Sequence, residues 1–343
     1  MRGSRLILFL LCLAVIGFSF SGSSAFSQSK VIELTYAQFQ PATHFNTKLS
    51  ESYAKEIEKR TNGKVKITVF PGGTLISADK TYNGIVTGIT DMGQSCMAYT
   101  RGKFPLSEVI DLPLGYKTGV AATKLINSFY EKFKPREFAE TEVMYFMAHS
   151  PGIVHCKKPV YKLEDLRGQK IRCTGLAAKV VAKLGAVPVA MPMGETYDAL
   201  SRGVVDGTMA PQESTQGWRW GEVVSTSTQS FGAGYTTGFF VVMNKKKWNS
   251  LPPEVQKVFR EVNREWADKN GIEWDLAGKR AEGWMTSLGK KIVPLSAAEN
   301  ARWAELVRPL LNEYVESMKR QGLPGKEALD FCVTELKKLE KQD

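Results

Sequence analysis

Apolar and polar positions follow two periods along this chain, and the two periods take turns. Val31 to Ala37 reads as a strand. From Phe45 to about Arg60, Leu49, Tyr53 and Ile57 recur at the spacing of one helix face, and Gly63 is placed to end that helix. Val65, Ile67 and Val69 then alternate with Lys66 and Thr68, the period of a half-buried strand. Pro71-Gly72-Gly73 is a turn, and a second helix is expected from about Ser77 to Thr87, with Tyr82, Ile85 and Val86 on its apolar side. Strand–helix–strand–helix order predicts an α/β fold with a mostly parallel sheet and helical crossovers.

One part of this pattern recurs. The segment from Thr81-Tyr82 through Gly88 to Asp91 is echoed from Thr196-Tyr197 through Gly203 to Asp206. Both copies follow a strand that ends in proline, at Pro71 and at Pro192. Two amphipathic helices can share four residues by chance. The same strand, turn and helix in the same order around both copies favours two lobes of related topology. Lobes of that kind face each other across a cleft, a common place for small-ligand sites.

The remaining pattern fills in this plan. Gly152 to Val160 and Gly168 to Thr174 read as strands, with a short helical turn at Leu163 to Leu166. Phe231 to Met243 is strand-like and long enough to cross between lobes. A helix opens after Ser250-Leu251-Pro252-Pro253 and keeps its spacing to about Leu288, long enough to brace both lobes. Ser296 to Glu299 forms a capping box; the helix it opens runs to Arg320 with a bend near Pro309, and Gly322 closes it. A last helix covers about Lys326 to Lys341. The expectation is a two-lobed, periplasmic-binding-protein-like architecture: residues 28–148 with about 237–270 form lobe I, and 149–236 with about 271–343 form lobe II.

Residues 1–27 stand apart from the fold. Arg2 and Arg5 precede an apolar run from Leu6 to Phe20, followed by small residues, the layout of a secretory signal peptide. The run of about 15 residues falls short of the ~20 that a membrane span needs. Cleavage after Ser27 or after Ala25 fits, and Cys12, inside the apolar run, is not a lipid-attachment cysteine. The mature chain is expected in the periplasm and does not itself span the membrane. Losing two arginines lowers the net charge of +11 to +9. Lysines and arginines are scattered among acids, so the chain reads as a basic surface that favours anions rather than a nucleic-acid stripe. Cys96, Cys156, Cys173 and Cys332 are too few for a disulfide scaffold; Cys156 and Cys173 pairing stays open beside free buried thiols.

Catalytic signatures are scarce. His149, His155 and Cys156 match no standard zinc spacing. The Gly93–Met97 segment lacks the second glycine of a nucleophile elbow, and the Gly232–Gly238 run is too long for a dinucleotide fingerprint. No cofactor or metal is expected. Arg172 is the strongest candidate: it lies at the carboxyl end of a strand just before Thr174-Gly175, where open α/β sheets bind ligands. A guanidinium there holds a carboxylate through two parallel hydrogen bonds. On the residues alone, a surface strand arginine paired with a glutamate is an equal alternative.

The run Leu163 to Arg172, with its surroundings, resembles the substrate-binding subunits of TRAP transporters, the DctP type. In that family a like segment carries the arginine that binds the substrate carboxylate, and Arg172 is the matching position. Pro192 to Gly207, Tyr36 to Lys64, Phe70 to Leu75, and the helix after Leu251-Pro252-Pro253 are similar to the family's other signatures. The resemblance implies capture of an organic acid in a closing cleft and delivery to TRAP membrane subunits, without turnover. Many relatives place a ligand-contacting Asn-Pro soon after Val-Asp-Gly; here Ala210-Pro211 stands there. That departure points away from a C4-dicarboxylate or sialic-acid site and toward an aromatic or branched acid, with Gln212 and Glu213 offering new polar contacts. Thr174, Phe39, Gln94, His149, Gln212 and Phe231 are the further ligand-lining candidates. Trp218 and Trp220, flanking Arg219 on an expected helix, read as packing residues. The rival class is a periplasmic two-lobed enzyme with Ser95, His149 or Cys173 as its catalytic group.

Overall fold

The structure, a computed structural model, describes residues 31–341. The leader, its cleavage site and Cys12 lie outside the described residues. In chain order the elements are β1 (Ile32–Gln38), α1 (Phe45–Arg60), β2 (Val65–Phe70), α2 (Thr81–Thr87), β3 (Met92–Cys96), α3 (Gly119–Phe133), β4 (Thr141–Ala148), β5 (Gly152–Cys156), β6 (Lys170–Cys173) and α4 (Ala177–Lys183). They continue as β7 (Val187–Ala190), α5 (Met193–Ser201), β8 (Gly207–Pro211), α6 (Ser214–Gly217), β9 (Thr226–Gln229), β10 (Gly238–Asn244), α7 (Lys245–Ser250), α8 (Pro253–Ser287), β11 (Lys291–Pro294), α9 (Ala297–Val307), α10 (Pro309–Arg320) and α11 (Gly325–Leu339). Short 3-10 turns join several of them.

Two sheets organise the molecule. The first has the order β2-β1-β3-β10-β4 and the second β11-β9-β5-β8-β6-β7. In the first, β1 runs parallel to β2 and β3, while β10 is antiparallel to β3 and β4. The second repeats this plan: β6 is parallel to β7 and β8, and β5 is antiparallel to β8 and β9. Each sheet therefore takes one inner strand from chain that has just left the other.

The repeated sequence segments occupy equivalent places. Gly88 and Gly203 close α2 and α5 with φ of 80° and 74°, a left-handed conformation that glycine adopts without a Cβ clash. Beyond each, the aspartate side chain accepts a backbone N–H from the neighbouring parallel strand: Asp91 from Thr35 at 2.8 Å, Asp206 from Lys170 at 2.8 Å. One residue further on, Met92 faces Tyr36 and Gly207 faces Ile171 in register.

Apolar faces fix how the helices cover the sheets. In α1, Tyr53, Ala54 and Ile57 are buried with Leu34 and Tyr36 of β1 and with Phe259, Val262 and Trp266 of α8. Each such side chain contributes about 1.5–3 kcal/mol on leaving water. The other face of the first sheet packs on α3 through Leu125, Ile126 and Phe129. The second sheet's core gathers Val154, Ile171, Cys173 and Met209 with Val180 of α4 and Trp303 of α9. The 35-residue α8 extends about 52 Å and reaches both lobes. Its first half joins the first sheet's cluster, and Met285 near its end packs with Leu200, Val205 and Trp220 of the second.

Several boundaries differ from expectation. The second helix starts at Thr81, not Ser77, because the chain makes a turn up to Lys80. The run 152–160 leaves its sheet after Cys156. In 231–243, Phe231–Ala233 is a 3-10 turn, and the strand begins at Gly238, whose N–H Asp111 accepts at 2.9 Å. Trp218 and Trp220 do not share a helix: Arg219 between them has φ 60°, ending one short helix and opening a turn. The expected assignment of 271–343 to the second lobe does not match the packing of its end. Tyr314 and Met318 of α10 and Leu329, Cys332 and Leu336 of α11 are buried with α3, which covers the first sheet. Amphipathic spacing marks which helix face is buried but not which sheet receives it. All four described cysteines are buried and free, so Cys156 and Cys173 are not bonded to each other.

Candidate functional site

Between the sheets lies a cavity. It is built from strand ends and the loops beyond them. Phe39 and Gln40 follow β1, Tyr99 follows β3, and His149 stands between β4 and β5. Arg172 and Thr174 come from the end of β6, Ala210 and Pro211 from the end of β8. Tyr235 and Phe239 arrive with the crossover into β10, and Trp274 from α8.

Its walls are largely aromatic. Phe39 stacks on Phe239 with ring centroids 6.3 Å apart, Phe239 on Trp274 at 5.6 Å, and Phe39 on Trp218 at 6.2 Å. Tyr99 meets Phe39 edge to face at 5.7 Å. Such walls offer flat apolar surface with defined ring edges and faces.

Arg172 is 1% exposed within this wall. Its Nε and Nη2 both donate to the carbonyl of Met191, at 3.0 and 2.7 Å, which fixes the plane of the guanidinium. The group lies 5.7 Å from the ring centre of Trp220. Among the described residues no carboxylate stands within ion-pair distance of it; every ion pair of an arginine there involves another residue. A guanidinium is charged at any physiological pH, and a buried charge without a partner is costly. The alternative of a surface strand arginine paired with a glutamate therefore fails on both counts. Lys170, two residues earlier at the start of the same strand, is exposed.

The other polar groups are more specialised. Burial pulls the imidazole of His149 down to about 4. Its Nδ1 lies 2.6 Å from the carbonyl of Ser150, so that nitrogen carries the proton and Nε2 is an acceptor. Burial pushes the Tyr99 hydroxyl up to about 12, against the opposing charge of Arg172. His44 enters from the loop before α1 and Glu213 from the turn after β8; His44 Nε2 and Glu213 Oε2 are 3.2 Å apart. The same two residues also line an open depression on the outer side, so they form the partition between the cavity and solvent.

Of the seven expected lining residues, the structure brings four together: Arg172, Thr174, Phe39 and His149. The other three stand elsewhere. Gln94 lies behind the wall, where its side-chain amide donates to Gln40 at 3.2 Å and its oxygen accepts from Gln38 at 3.1 Å. Gln212 donates to the Thr215 hydroxyl at 3.3 Å within its own turn. Phe231 is 47% exposed on the 3-10 turn. Trp218, expected as packing, lines the cavity. The groups of the rival enzyme reading do not assemble. Ser95 donates to the carbonyl of Ala78 at 2.6 Å, and burial pushes the Cys173 thiol up to about 11. His44, Tyr99, Phe239 and Trp274 were not foreseen, because each comes from a different element and no local pattern marks their convergence.

Two sheets of matching topology, closed over a cavity at their strand ends and joined by crossing strands and one long helix, define a two-lobed solute-binding protein. The chain belongs to the bacterial extracellular solute-binding protein family 7, DctP, whose model matches residues 36–317. It is similar to a TRAP periplasmic solute-binding protein from Desulfovibrio salexigens, with 34% identity and a TM-score of 0.80 over 90% of this chain and 96% of that one. It is also similar to a marine metagenome TRAP solute-binding protein specific for aromatic acid ligands, solved with metahydroxyphenylacetate. There the identity is 26% and the TM-score 0.86, over 90% of this chain and 99% of that one. Among curated relatives, the C4-dicarboxylate-binding periplasmic protein DctP of Rhodobacter capsulatus is 29% identical over 79% of this chain and 83% of its own length. The family comprises periplasmic solute-binding proteins rather than enzymes, and no described helix is long and apolar enough to cross a membrane.

Proposed function

We propose that this chain captures a small aromatic monocarboxylic acid in the periplasm and delivers it to the membrane subunits of a TRAP transporter. One observation carries the reading: a buried guanidinium, oriented by the Met191 carbonyl and lacking an acidic partner among the described residues, in an aromatic-walled cavity. The ligand supplies the missing anion. Its carboxylate meets the free edge of Arg172, and its ring lies among Phe39, Phe239, Trp218 and Trp274. Ala210 keeps its part of the wall apolar. The relative specific for aromatic acids supports the class of ligand. Excluding water strengthens the ion pair, since the pair then acts in a medium of low polarity. The apolar leader at residues 1–27 supports export through a cleavable signal peptide.

The test is calorimetric titration of ligand-free protein with benzoate, beside Arg172→Ala. The variant should lose about 100-fold or more in affinity while its circular dichroism stays unchanged. Equal affinity in the two proteins would sink the proposal.

A further inference from the structure

The cavity has a second charged group, of opposite sign. Glu213 is 2% exposed and lines the wall. Its Oε1 accepts from the Ser214 hydroxyl at 3.0 Å, whereas Oε2 is buried without a hydrogen-bond partner. The nearest cationic candidate is His44, at 3.2 Å, in a geometry that does not align a hydrogen bond. His44 Nδ1 accepts the N–H of Asn46 at 3.2 Å, so the ring proton lies on Nε2, the atom facing Glu213. Gly217 leaves room for this pair: a Cβ there would come within 2.7 Å of Oε2 and 2.9 Å of His44 Nε2.

Both charged groups line the same cavity. Arg172 is tied toward β7 by the Met191 carbonyl, and Glu213 stands two residues beyond the end of β8. A ligand whose carboxylate meets Arg172 shares the cavity with an anionic acceptor. A carboxylate accepts hydrogen bonds and donates none. It rewards a hydroxyl or amino group on the ligand and repels a second carboxylate, which it meets in a buried site where like charges are poorly screened.

We propose that Glu213 determines specificity: it selects monocarboxylic aromatic acids bearing a hydrogen-bond donor away from the carboxylate and excludes dicarboxylic ones. This rests on the aromatic-acid reading above and adds which members of that class are taken. It adds a repulsive element against a second carboxylate to the apolar wall at Ala210.

The experiment titrates ligand-free wild type and Glu213→Gln with benzoate, 3-hydroxybenzoate and isophthalate, which carries a second carboxylate in place of the hydroxyl. Wild type should bind 3-hydroxybenzoate over isophthalate by roughly 100-fold or more. The near-isosteric, uncharged amide of the Glu213→Gln variant should narrow that gap by roughly tenfold or more. Benzoate carries neither a donor nor a second carboxylate and serves as the reference ligand for both proteins. An unchanged gap in Glu213→Gln, with benzoate bound by both, overturns this proposal alone. Failure of wild type to bind any of the three overturns the aromatic-acid reading and this one with it. Tighter binding of isophthalate than of 3-hydroxybenzoate by wild type overturns the proposal outright.

Discussion

The two sheets share a scaffold but not a chemistry. Arg172 faces Thr208 across the β6–β8 pair, and the equivalent position across β1–β3 is Ala37, facing Gly93. His155 of β5 also faces Thr208, and its counterpart in β10 is Val242, facing Gly93. The second lobe thus brings the fixed guanidinium, the buried imidazole and Glu213. The first brings Phe39, Tyr99, the His44 imidazole and a neutral chain of Gln38, Gln40 and Gln94. The repeated topology determines where a side chain at a strand end points. The residue type at that point determines whether it holds a charge or only a surface.

Substitutions at equivalent positions test how far this division goes. The largest effect is expected at the unequal pair itself. Arg172→Lys keeps the charge but loses the planar fork and should weaken benzoate binding by about 10- to 100-fold, measured by calorimetry. Ala37→Ser at the counterpart should change it by less than about threefold.

Acid sensitivity should be concentrated in the second sheet. Burial pulls His155 down to about 4, with Ser227 Oγ 2.8 Å from Nδ1 and the Ala210 carbonyl 3.1 Å from Nε2. A histidine whose folded pKa lies below its unfolded value of about 6.5 stabilises the fold above that pH. That stability, on the order of 2–3 kcal/mol, is lost as pH falls toward 4. Urea titrations across this window should show the decline. His155→Val, which copies Val242, should roughly halve it, leaving the part that the similarly depressed His149 contributes, while lowering stability at neutral pH, because Ser227 and the Ala210 carbonyl lose their partner. A decline of equal slope in that variant would place the acid-sensitive group elsewhere.

The paired aspartates should differ by less. Asp91 accepts from both the N–H and the hydroxyl of Thr35 and pairs with Lys247 at 3.1 Å. Asp206 is exposed and accepts the Lys170 N–H. Asp91→Ala should cost about 1–2 kcal/mol of unfolding free energy and Asp206→Ala about half of that. The smallest contrast lies in the repeated tyrosines. Tyr82 is buried and donates to the Glu137 carbonyl at 2.9 Å, so Tyr82→Phe should cost about 1 kcal/mol in the same assay. Tyr197 bonds Glu222 at the surface, and Tyr197→Phe should leave the unfolding midpoint unchanged.

Much of this contrast was legible in the sequence, for a physical reason. Periodicity reports which face of an element is buried, so α1 runs over Phe45–Arg60 as its spacing predicts. The repeat from Thr81 and from Thr196 reports equivalent topology, and the strand end before Gly175 places Arg172 at the cavity. Residues whose environment depends on distant chain were not legible. Gln94 alternates correctly on β3, but its fate rests on Gln38 and Gln40 from another strand. Trp274 sits on one turn of a uniform helix, and only the fold shows that Phe239 and His149 meet it there. The partners of α11 were misassigned for the same reason.

The strand exchange between the sheets bears on how the molecule comes to be folded. β10 lies between β3 and β4, yet it is synthesised only after the strands β5 to β9 of the other sheet. A polypeptide that ends at Ala148 has β3 and β4 with nothing to bridge them, and its apolar faces stay open to water. Neither half can be completed before the other is nearly made. The chain should therefore acquire its structure in one concerted event, only after β10 has been made.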